Sequence, residues 1–157
     1  MRIKEVEYSR LFSFGNYQNE RIGFKAEIDE NENPDAALGQ LFLRVLNLNK
    51  VFQRHREILE NIERTREQIK TYKDDIKLHE RYLANYLKER EELKEEEAKG
   101  EKSTRLICRI EDVETSILRE KREIANYQQK IVEAEREILK LTSELETLEE
   151  KIRRGDF

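Results

Sequence analysis

The chain has 157 residues, of which 42% are Asp, Glu, Lys or Arg and only 36% hydrophobic, with five Gly, one Pro, one Cys and no Trp. That apolar fraction lies below the roughly 45–50% of an ordinary globular domain, which argues against a compact enzyme core. Its 31 basic and 35 acidic side chains are interspersed, so the net charge of −4 gives no broad field for grasping nucleic acid.

The first elements are two predicted strands. Val6, Tyr8, Phe12 and Phe14 alternate with Glu7, Ser9 and Ser13, and Ile22, Phe24, Ala26 and Ile28 alternate with Gly23, Lys25, Glu27 and Asp29. A period of two with one apolar row means a half-buried antiparallel pair. Gly15, Asn16, Tyr17, Gln18 and Asn19 supply the turn, so a β-hairpin with a loop longer than two residues is expected. Arg10 falls on the apolar row, where its stem would pack and its head reach water.

A polar connection leads to Asn33 and Pro34, an N-cap followed by a residue suited to the first helical position, with Asp35 at the positive end of the helix dipole. Nothing then breaks a helix from residue 35 to about residue 99. Gly39 is its weak point, in turns where the sheet could approach. Leu38, Leu41, Phe42, Val45 and Leu46 form a stripe broad enough to cover the hairpin.

Beyond it the stripe narrows to a heptad. With His55 at position a, alternating a and d sites carry Ile58, Ile62, Thr65, Ile69, Tyr72, Ile76, His79, Leu83, Tyr86, Arg90 and Leu93, of which eight of twelve are aliphatic or aromatic. That is a coiled-coil seam. Gly100 followed by Ser103 and Thr104 marks a stop and a new N-cap. A second helix follows from about 103 to 153, its seam being Leu106, Ile110, Val113, Ile117, Glu120, Ile124, Tyr127, Ile131, Ala134, Ile138, Leu141, Leu145, Leu148 and Ile152.

A turn at 99–104 makes the helices antiparallel and pairs positions whose numbers sum to about 200, over lengths of about 95 and 75 Å at 1.5 Å per residue. The expected fold is mainly α: an N-terminal ββα head, residues 1–46, on a long antiparallel helical-hairpin coiled coil, residues 47–154. His79 and Glu120 both interrupt their seams and come to one level. They are expected to satisfy each other as a structural polar pair that fixes register, with a pH-sensitive switch as the functional alternative.

The chemistry of known sites is missing. No CxxC, HExxH, Glu-x-x-His, GxGxxG or Walker pattern occurs, so no metal, cofactor or catalytic residue is expected. Cys108 falls outside the seam and reads as a surface thiol. One Cys, no signal-peptide pattern and no membrane-length apolar run lead to the expectation of a cytoplasmic protein without membrane contact.

The segment EVEYSRLFSFGNYQNERIGFKAEIDENENPDAALGQL carries a Tyr-Ser strand, a Gly-Asn-Tyr turn, an Arg-Ile-Gly strand and a Pro-Asp-Ala helix start. In that order it resembles an N-terminal module of uncharacterised small proteins from phages, mobile elements and prokaryotes. The resemblance covers about residues 4–42 and implies no activity. A prefoldin subunit looks superficially similar, but there the hairpins lie between the helices, whereas here the hairpin precedes both.

Two functions follow as expectations. The favoured one is a non-enzymatic interaction or scaffolding protein that self-associates, because a lone hairpin and a two-helix bundle bury little area by themselves. The alternative is a nucleic-acid-binding adaptor whose head uses Arg10, Tyr17, Arg21 and Lys25 among aromatic rings. Seven basic and eight acidic side chains in the first fifty residues give that alternative no basic excess.

Overall fold

A computed structural model describes residues 3–13, 19–100 and 103–156. Strands β1 (Glu5–Ser13) and β2 (Asn19–Glu27) are followed by helices α1 (Pro34–Ala98) and α2 (Thr104–Arg154). The fold is the expected one: a two-stranded antiparallel hairpin leading into two long helices that pack as an antiparallel coiled coil. The described chain divides into two compact units, Met1–Asn61 with Leu141–Phe157, and Ile62–Lys140. Residues 1–46 lie wholly within the first. Among the described residues no helix is long and apolar enough to cross a membrane.

In the first unit the strands pair from Glu5 opposite Glu27 to Ser13 opposite Asn19. Val6, Tyr8, Phe12, Phe24 and Ala26 are half-buried and Ile22 is buried, while their neighbours along each strand are exposed. One face therefore lies on α1, as the alternation requires. Phe14 and most of the turn, including Tyr17, lie outside the described residues.

Helix α1 starts where Asn33 can cap it. The Asn33 side-chain oxygen accepts from the Asp35 amide at 2.9 Å, and its carbonyl accepts from Ala37 at 3.1 Å. The inward face differs from the expected stripe. Ala37, Leu41, Val45 and Asn49 are buried, whereas Leu38 and Phe42 are each 38% exposed. A step of four residues advances 400°, so this face winds about 40° per step around the helix. It turns from the sheet toward the C-terminal part of α2 and leaves Leu38 and Phe42 at its margin. Gly39 is likewise not a point of close approach: a Cβ there would meet nothing within 4 Å.

In the second unit Leu93, Leu106, Val113 and Ile117 form a buried cluster, with Leu83, Tyr86, Leu87 and Ile110 against it. All twelve seam positions of α1 and all fourteen of α2 are buried or half-buried. Helix α1 ends at Ala98, and Gly100 follows with a φ of 98° that only glycine adopts freely and an amide that donates to the Glu97 carbonyl. Ser103 caps α2 through its hydroxyl, which accepts from the Leu106 amide at 3.1 Å. At the far end Gly155 (φ 73°) donates to Ile152 and Asp156 to Lys151, the paired bonds of a Schellman cap.

Candidate functional site

Glu120 stands at a seam position of α2 between Ile117 and Ile124, so helical geometry aims a carboxylate into an apolar interface. Its side chain is 2% exposed, and its Oε2 lies 2.5 Å from His79 Nδ1 on α1. The two atoms share one hydrogen bond across the interface, and an ionised carboxylate, which only accepts, would take it from a proton on His79 Nδ1. The other carboxylate oxygen faces Arg119 at 3.4 Å, whose side chain is mostly exposed. A buried carboxylate is tolerated when its oxygens find donors, and here one comes from the facing helix and one from the rim.

Aromatic rings extend this layer. The His79 ring lies 5.6 Å from Tyr127 and 6.3 Å from Tyr82, and Tyr127 lies 5.8 Å from Tyr72. Lys130 closes it, with its ammonium 5.0 Å above the Tyr127 ring and 5.6 Å from that of Tyr72. An ammonium over a tyrosine face is attracted by the ring quadrupole. His79 with Glu120 and Tyr72 with Tyr127 are pairs whose numbers sum to 199, so both report one register.

Sequence reasoning missed two members of this pattern. In the first unit His55 Nε2 lies 3.3 Å from Glu149 Oε1, so each histidine of the chain meets a glutamate of α2. Glu149 flanks the seam and interrupts no apolar row, so periodicity gave it no mark. Lys130 had one available signal, its place three residues after Tyr127 on a helix.

The alternative residues of the head that are described fall on two faces of the hairpin. Arg10 lies in the row facing α1, exposed, with its guanidinium carbon 5.5 Å from the Phe12 ring. Arg21 and Lys25 alternate onto the opposite face with Glu5, Glu7 and Glu27. There Lys25 pairs with Glu5 at 2.7 Å, and that hydrogen-bonded carboxylate raises the Lys25 pKa above the ordinary lysine value. Arg10 thus lies on one face and Arg21 with Lys25 on the other, while Tyr17 is outside the described residues.

Among the described residues no three His, Cys, Asp or Glu side chains are grouped to hold a metal ion. Cys108 is exposed and free. Among the described residues, one open hollow is lined by Ser13, Gln53, Arg56, Glu57 and Glu60. No protein-family model, curated protein or solved structure matches the chain.

Proposed function

We propose that the chain is a non-enzymatic interaction or scaffolding protein of the cytoplasm that self-associates through its helical hairpin and small sheet. One observation carries this reading. On α2, Leu118, Ala125, Val132 and Leu139 recur every seven residues outside the seam, and all are exposed, Leu118 by 58%, Val132 by 45% and Leu139 by 70%. A heptad-spaced apolar line is the kind of surface a further helix covers, whereas scattered exposed leucines would need no explanation. The His79–Glu120 layer then serves structure, holding the register that keeps this line on the outside.

Thermal unfolding over a hundredfold range of protein concentration tests the proposal. Association stabilises the folded state by mass action, so Tm should rise with concentration. A constant Tm, together with salt-sensitive binding of labelled DNA or RNA, would replace this reading with the nucleic-acid one.

A further inference from the structure

The outer edge of β1 has the pattern of a surface made for itself. In the hairpin the Ile28 amide donates to the Lys4 carbonyl at 3.0 Å. Antiparallel bonding alternates, so Val6, Tyr8, Arg10 and Phe12 also bond toward β2. The amides and carbonyls of Glu5, Glu7, Ser9, Leu11 and Ser13 therefore point the other way, along a nine-residue edge. The sheet has two strands, and the described residues contain no third. An unblocked edge of this length is a template for another strand.

The two edges of the hairpin differ. On the β2 side Arg44 lies 5.2 Å over the Phe24 ring, and its terminal nitrogen is 3.7 Å from where a Cβ on Gly155 would stand. The end of α2 is thus beside β2. On the β1 side Phe42 meets Tyr8 edge-on at 5.4 Å, and Leu38 lies one helical turn earlier. Both are 38% exposed, an apolar ledge next to the open edge.

We propose that two copies of the chain join β1 to β1 across a two-fold axis at Ser9, giving a four-stranded antiparallel sheet. This rests on the self-association reading and names its surface. The axis sets Val6 against Phe12 of the second copy and Tyr8 against Arg10 of the second copy, each twice. The apolar pairs match, and the arginine that interrupts the inner row gains an aromatic face. Centring the axis on Glu7 instead would oppose two glutamates and set Arg10 against Lys4, and centring it on Leu11 would leave half of β1 unpaired. Only the Ser9 axis pairs all nine residues. The added strands would cover Leu38 and Phe42, and a two-stranded ribbon, marginal alone, would become an ordinary sheet.

The test uses the full chain with Cys108→Ser, so that an introduced cysteine is the only thiol. Hydrogen-bonded partners across antiparallel strands stand about 5.5 Å apart at Cα, within disulfide reach. Under mild oxidation Ser9→Cys should form a covalent dimer, while Lys25→Cys on β2 should not. Ser9→Pro removes an amide that bonds nothing within the hairpin and is tolerated on an edge strand. Losing two such bonds per dimer should weaken association about thirtyfold by sedimentation. A chain that sediments as a dimer but whose Ser9→Cys form does not cross-link would overturn the β1 contact and leave self-association standing. A chain that stays monomeric at every concentration would overturn both.

Discussion

Glu120 draws its stability from one close partner in the interior and a weaker one at the rim, Arg119. Removing His79 alone would leave a carboxylate that is 2% exposed without its main donor, and breaking a buried pair typically costs about 3–5 kcal/mol. The His79 side chain is 21% exposed, so the lower end applies here. Glu120→Leu or His79→Leu should each lower stability, and the double change should recover much of the loss, since an apolar layer suits this seam. A double-mutant cycle by thermal unfolding should show coupling well above the scatter of about 0.5 kcal/mol expected for independent sites. Additive losses would mean that the two side chains do not act as a pair. Gly39 makes the opposite case: its Cβ would stand in open space, so Gly39→Ala should stabilise α1 by about 1 kcal/mol in the same assay.

At the level of elements, the hairpin is constrained where its strands approach most closely. A Cβ on Gly23 would lie 2.7 Å from the Ser9 Cβ and 3.2 Å from the Tyr8 carbonyl, and backbone cannot yield cheaply. Gly23→Ala should therefore cost about 1–3 kcal/mol, and adding Ser9→Gly should restore part of it, both read by thermal unfolding. The Glu5–Lys25 ion pair on the exposed face adds a small pH dependence. Because Glu5 raises the Lys25 pKa in the folded chain, the pair's contribution is complete below the unfolded lysine value and is lost as pH rises through the folded one. An NMR titration should show Glu5→Gln returning the Lys25 pKa toward the ordinary value, and an unchanged titration would show that Glu5 is not the cause. The seams of both helices were legible because a strict 3–4 alternation admits one inward face, and Gly100 with Ser103 marks the turn by chemistry that depends on no partner. The start of α1 was less legible. There, buried positions recur every fourth residue, so one apolar stripe conceals a face that turns between two neighbours. Pairs such as His55 with Glu149 left no trace, because a charged residue beside a seam looks like any other.

For the whole molecule, the same economy that makes the seam readable leaves the chain with surfaces that it does not cover itself. Leu118, Ala125, Val132 and Leu139 on α2, and the β1 edge beside Phe42, are such surfaces, and neither carries the cavity or converging polar groups of a small-molecule site. The partner proposed for the β1 edge is a second copy of the chain. The interaction reading therefore depends on the state of the protein in solution. Sedimentation equilibrium of the full chain across the micromolar range measures that state directly. The account predicts a dimer or larger assembly that dissociates on dilution. A single species of 19.0 kDa at every concentration would contradict it.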